Sequence, residues 1–136
     1  MLRRERSLAV GLAALWLVLI VYASLFPFAG WRVPPGVALI DLLRLPWTRW
    51  LPGFDPAANL LGYVPMGLLL VLTGSRHRRP SWSVVMQAAL AACALSYCME
   101  VLQQLVPRRV PTALDWMLNT AGALLGVVLG VAVQTM

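Results

Sequence analysis

Charge is what this chain has least of: charged side chains make up 12% of its 136 residues, against 60% hydrophobic ones. A soluble domain carries about 25% charged and about 45–50% apolar residues. So little polar surface cannot coat a water-facing globule, which argues against a soluble enzyme, a disordered tail or a secreted disulfide scaffold. Lysine is absent, and all 11 basic residues are arginine, set against 5 acidic ones for a net charge of +6. In a soluble protein that balance would point to nucleic acid. In so apolar a chain the arginines instead read as flanks of membrane spans that meet anionic lipid headgroups, and no nucleic-acid partner is expected. Cysteine is scarce too: Cys93 and Cys98 lie inside an apolar stretch and read as packing. Also missing are an HExxH helix, a His/Cys metal spacing, a phosphate-cradling glycine loop and a Ser/His pair.

What is present is a set of long apolar runs. A bilayer-crossing helix needs about 20 mostly apolar residues. Four stretches meet that need: Ser7 to about Phe28, about Ala57 to Gly74, about Trp82 to Val106, and about Ala113 to Val133. Continuous Leu/Ala/Val runs do not alternate as barrel strands do. The expected fold is therefore all-α, a single-domain bundle of four transmembrane helices over residues 1–136. Arg3, Arg4 and Arg6 followed by an apolar run resemble a signal peptide, with Val21-Tyr22-Ala23 as a cleavage-like site. The run continues to Phe28, beyond a signal core, and an uncleaved anchor is expected.

Arginine placement sets the expected orientation. With the N-terminus inside, Arg3, Arg4, Arg6, Arg76, Arg78 and Arg79 face the cytoplasm, and Arg32, Arg44, Arg49, Arg108 and Arg109 face out. Three of the inner arginines crowd the first six residues and three more fall within Arg76-His77-Arg78-Arg79, where His77 reads as solvated. Both termini are thus expected in the cytoplasm. The connection from Ala29 to Pro56 is long and apolar, with Val37, Leu39, Ile40, Leu42, Leu43 and Leu45 interrupted by Asp41, Arg44 and Thr48 at roughly helical spacing. It predicts a short amphipathic helix on the membrane surface between Pro34-Pro35 and Pro46, with Trp31, Trp47 and Trp50 as an interfacial belt. A lid over a site at that face is compatible with the same pattern.

Polar groups inside hydrocarbon are costly and usually face the bundle interior or mark a functional path. Asp55 and Asn59 stand one turn apart at the start of the second span. Ser96, Glu100 and Gln103 share one face of the third span, and Asp115, Asn119, Gly122 and Gly126 share one face of the fourth. The up-down topology gives them a common depth. At about 1.5 Å per residue Glu100 lies on the order of 10 Å below Pro107, Asn119 about 9 Å below Ala113, and Asn59 about 6 Å below Asp55. One level under the outer surface thereby collects the carboxylates, carboxamides and a hydroxyl, beneath the turn Pro107-Arg108-Arg109. The inner ends hold no matching concentration.

These residues resemble the VanZ-like membrane protein family. The segment Asp55-Pro56-Ala57-Ala58-Asn59-Leu60-Leu61-Gly62-Tyr63-Val64-Pro65-Met66-Gly67 is similar to its Asn…Pro-x-Gly motif. Ser96, Glu100, Gln103, Arg109, Asp115, Asn119, Gly122 and Gly126 are similar to its second block. Where the family often has an acidic residue, this chain has Thr112. The resemblance implies a bacterial cell-envelope protein of the plasma membrane, and the founding member is associated with resistance to the glycopeptide teicoplanin.

Two readings of the polar level stand side by side. It is interhelical glue, or it is a pocket open to the outer interface, in which Arg109 offers guanidinium donors to a phosphate or carboxylate while Glu100 and Asp115 balance its charge. The pocket reading makes Asp55, Asn59, Ser96, Glu100, Gln103, Arg109, Asp115 and Asn119 the candidate ligand-binding residues for an anionic lipid or peptidoglycan-related headgroup. A membrane enzyme acting on a lipid-linked headgroup and a structural, partner-binding subunit are the alternatives. Catalysis is not the favoured reading, and neither a cofactor nor a metal is expected. Pro65, Gly67, Gly122, Gly126 and Gly130 are expected at helix contacts, and the glycine face of the fourth span is a candidate surface for a second copy of the chain.

Overall fold

The structure is a computed structural model, and it describes residues 3–47, 56–75 and 79–136. Asp55, Thr48, Arg49, Trp50 and the turn residues Arg76, His77 and Arg78 lie outside the described residues. Four helices carry the chain: α1 (Arg3–Leu25), α2 (Pro56–Gly74), α3 (Trp82–Gln103) and α4 (Ala113–Thr135). Each is long and apolar enough to cross a membrane.

Local chemistry sets the helix ends. Pro27 cannot continue α1, which stops at Leu25 rather than Phe28. Pro56 opens α2 at a position where a missing N–H is harmless. Ser81 caps α3 by accepting from the Val84 amide at 3.4 Å, and Thr112 caps α4 by accepting from the Asp115 amide at 3.0 Å. The α3 helix ends at Gln103, and the chain to Val106 follows in tight turns, Leu105 N donating to Leu102 O and Val106 N to Gln103 O, each at 3.0 Å.

Helix α2 is central and touches the other three. Its tightest partner is α4, and the two run in the same direction. A Cβ built on Gly122 would stand 1.8 Å from the Leu60 carbonyl oxygen, one on Gly126 2.0 Å from that of Val64, and one on Gly130 3.0 Å from that of Leu68. Reciprocally, a Cβ on Gly67 would stand 1.9 Å from the Ala123 carbonyl oxygen. Glycines every four residues on α4 thus receive carbonyls every four residues on α2, so the backbones meet without intervening side chains. The glycine face considered for a second copy is occupied by α2 of the same chain. Pro65 sits inside α2 and withholds a donor from the Leu61 carbonyl.

Helix α1 packs on α2 and α3 along one side. Ala9, Ile20 and Leu25 are buried, whereas Leu8, Leu12, Leu15 and Val18 are each more than half exposed, as a lipid-facing surface requires. The Trp16 indole donates to the Gly62 carbonyl at 2.9 Å, and the Arg6 guanidinium donates to the Thr73 carbonyl at 3.0 Å, tying the start of α1 to the end of α2. Ile20, Leu25, Tyr63, Met66, Ala92, Met99 and Ala123 form the main apolar core. Val71, Ala88 and Val127 form a second cluster.

The connection after α1 folds across the end of the bundle where α3 turns into α4. Its helical spacing produces only a short 3-10 helix, Leu39–Leu43, since Pro34-Pro35 and Pro46 leave little room between them. Leu42 is buried under it, while Leu39 and Ile40 remain 72% and 69% exposed. Trp31 and Trp47 are also exposed. Asp41 and Arg44 pair at 3.7 Å on its surface.

Candidate functional site

The start of α2, the end of α3 and the start of α4 bring five polar side chains together. Asn59 Nδ2 donates to Asp115 Oδ1 at 2.6 Å. Thr112 Oγ1 donates to Asp115 Oδ2 at 2.7 Å. The Thr112 amide donates to Glu100 Oε2 at 3.3 Å, and Asn119 Nδ2 donates to Glu100 Oε1 at 3.2 Å. Thr112 therefore bridges the two carboxylates, one through its backbone and one through its hydroxyl. Glu100 is 2% exposed, Asn119 3% and Asp115 8%, so the group belongs to the protein interior.

The other candidate residues sit around this centre. Ser96 is fully buried, and its hydroxyl donates to the Trp116 carbonyl at 3.4 Å. The Tyr63 hydroxyl is buried in the neighbourhood of Ser24, Ser96 and Glu100. Gln103 is half-buried, and none of the hydrogen bonds found among the described residues joins its side chain to the cluster. Arg109 does not grip either carboxylate. Its guanidinium donates to the Ala23 carbonyl in the last turn of α1, where positive charge meets the negative end of a helix. It remains close enough to Glu100 for Coulombic interaction. Among the described residues no three of His, Cys, Asp and Glu gather as a metal-holding group.

The 3-10 segment is strapped over this end by neighbouring residues. Gln104 Nε2 donates to the Leu42 carbonyl at 2.6 Å, and the Tyr97 hydroxyl donates to the Leu43 carbonyl at 2.5 Å. The Arg32 amide donates to the Leu105 carbonyl at 3.0 Å, and the Ala113 amide to the Pro46 carbonyl at 2.9 Å. Tyr97 also stands edge-on to Trp116, ring centres 5.8 Å apart. Exposed Arg32 and Arg108 and half-buried Arg109 consequently border one turn. Removing both side-chain straps, with Gln104→Leu and Tyr97→Phe, is expected to speed hydrogen–deuterium exchange of residues 37–44 about thirtyfold, since each of the two bonds is worth about 1 kcal/mol. Exchange in the α2–α4 core should not change, and unaltered exchange at 37–44 would show that the straps do not hold the segment.

Sequence reading missed Thr112 as the hub, Tyr63 as a neighbouring hydroxyl and Gln104 as the strap. The first had a usable signal: Thr112-Ala113-Leu114-Asp115 before an apolar run has the Ser/Thr-x-x-Asp/Glu pattern of a helix start. Tyr63 follows Asn59 by one turn on the same face.

Four apolar spans, a glycine-lined α2–α4 contact and a polar cluster at one end define a multi-pass helical membrane protein. The family model described as VanZ/LLP1 matches residues 9–134, and the chain belongs to that family. No curated protein and no solved structure matches it.

Proposed function

We propose that this VanZ-family protein holds the headgroup of an anionic envelope lipid, or of a peptidoglycan-related lipid, at the end of the bundle that carries the polar cluster. In this reading that end faces outward from the bacterial plasma membrane and both termini are cytoplasmic. Holding the headgroup changes its availability, which would connect the protein to resistance against glycopeptides such as teicoplanin. The observation that carries the reading is the one-sided gathering of Asn59, Glu100, Thr112, Asp115 and Asn119 beneath a turn bordered by Arg32, Arg108 and Arg109. Arginine recognises phosphate and carboxylate through paired N–H donors, and its attraction is strengthened where water is scarce.

Protein in phosphatidylcholine nanodiscs, titrated with phosphatidylglycerol, is expected to retain the anionic lipid over the host lipid by native mass spectrometry. Combined Arg108→Ala and Arg109→Ala should weaken that retention about tenfold, the loss of one or two charge-assisted hydrogen bonds. Equal retention of the two lipids by the unaltered protein would overturn the reading.

A further inference from the structure

The buried carboxylates are only half used. Glu100 and Asp115 each accept two hydrogen bonds, all from neutral donors: the Thr112 amide and Asn119 for Glu100, Asn59 and the Thr112 hydroxyl for Asp115. An ionised carboxylate offers about four lone-pair sites. Among the described residues no arginine comes within ion-pair distance of either group, and the ion pair found there is the surface contact Asp41–Arg44. A second kind of observation points the same way. Asn119 is 3% exposed and its amide reaches into the cluster through Nδ2, yet its Oδ1 is buried with no hydrogen-bond partner.

With both carboxylates ionised, a group that completes this site brings donors and positive charge together. Water brings donors without charge, and charge removed from water needs compensation. Among the described residues, two carboxylates and one amide oxygen make a sparse shell for a divalent cation, which takes about six oxygen ligands or more. A primary ammonium carries one charge and three donors. Those match the three acceptor residues Glu100, Asp115 and Asn119. The anion-binding side is close at hand, because Arg109 and the bridging Thr112 belong to the same turn.

We infer that Glu100, Asp115 and Asn119 receive the ammonium of a zwitterionic headgroup whose phosphate or carboxylate is held by Arg108 and Arg109. This rests on the reading above that arginines at this end hold a lipid headgroup, and it moves the preferred ligand from a net-anionic headgroup to a zwitterionic one: a primary amine joined to its anion by a short linker, presented by a lipid or as the free headgroup.

The test uses the full chain in phosphatidylcholine nanodiscs, titrated separately with phosphatidylethanolamine, its N-acetylated form and phosphatidylglycerol. Phosphatidylcholine has the same charges as phosphatidylethanolamine but no N–H donors, and N-acetylation removes the positive charge. Phosphatidylethanolamine is expected to be retained about tenfold more tightly than either anionic lipid, and Glu100→Gln should abolish that difference. The lipid comparison needs no variant, so a Glu100→Gln protein that does not fold leaves the inference testable. If phosphatidylglycerol binds above the host lipid and phosphatidylethanolamine binds no better, the ammonium site is overturned while the headgroup reading stands. If neither exceeds the host lipid, both fall. Displacement of bound phosphatidylethanolamine by O-phosphoethanolamine would support the site with the headgroup alone as ligand, and resistance to displacement would support it with the lipid form.

Discussion

Gly122→Leu is expected to lower stability by about 3 kcal/mol, the upper part of the range for overpacking a close-packed interior. The reason is the identity of the obstructing atom. A Cβ at this position would meet the Leu60 carbonyl oxygen at 1.8 Å, with Leu60 C and Cα behind it at 2.8 and 3.1 Å. Those are backbone atoms of a helix and cannot swing aside as a side chain would, so α2 and α4 must separate along the whole contact. Separation also withdraws Val64 and Leu68 from Gly126 and Gly130. In detergent micelles the variant should melt well below the unaltered protein. Gly62→Ala is the matched control on α2, where an added Cβ meets nothing within 4 Å. It should hold or raise the melting temperature, because alanine favours a helix over glycine by about 1 kcal/mol. Equal melting of Gly122→Leu and Gly62→Ala would refute the close contact.

Asp115→Ala is expected to have the second large effect, about 3 kcal/mol of destabilisation. Its carboxylate accepts from both Asn59 Nδ2 and Thr112 Oγ1. Alanine leaves the two donors beside a space with nothing to accept from them, and each stranded buried group costs about 1–3 kcal/mol. The negative charge in the first turn of α4, favoured by the helix dipole, is lost as well. Asp115→Asn keeps one acceptor oxygen and should lose less. A double-mutant cycle with Asn59→Ala separates pairing from packing. If the 2.6 Å bond matters, the double variant loses less than the sum of the single ones. Strict additivity would show that Asn59 and Asp115 act independently.

The spans were legible because crossing a bilayer depends on length and composition, and both are printed in the chain. Their ends were less so. Pro27 shortened the first helix, and in the α1–α2 connection the prolines reduced a helical spacing to one 3-10 turn. The polar stripes were legible because residues four apart share a helix face, which placed Glu100, Asp115 and Asn119 correctly relative to their own helices. Their partners were not legible. Arg109 finds its acceptor 86 residues earlier, in a backbone carbonyl of α1 that has no side-chain signature. The same holds for the glycines of α4: their small size announced a close contact, but the groups that fill it are the carbonyls of Leu60, Val64 and Leu68. Of the adjacent pair Gln103 and Gln104, the helical stripe favoured the first, whereas the end of α3 turns the second toward the Leu42 carbonyl.

The parallel pairing of α2 with α4 has a consequence for biogenesis. The first half of the chain leaves the ribosome with a notched α2 whose complement has not yet been translated, since α4 is the last of the four helices to emerge. Until then α2 has only α1 and α3 beside it, and its glycine-matched face has no partner helix. Docking of α4 fills that face and at the same stroke delivers Asp115 and Asn119 to Asn59 and Glu100. Of these four helices, the one that integrates last is therefore also the one that assembles the polar cluster.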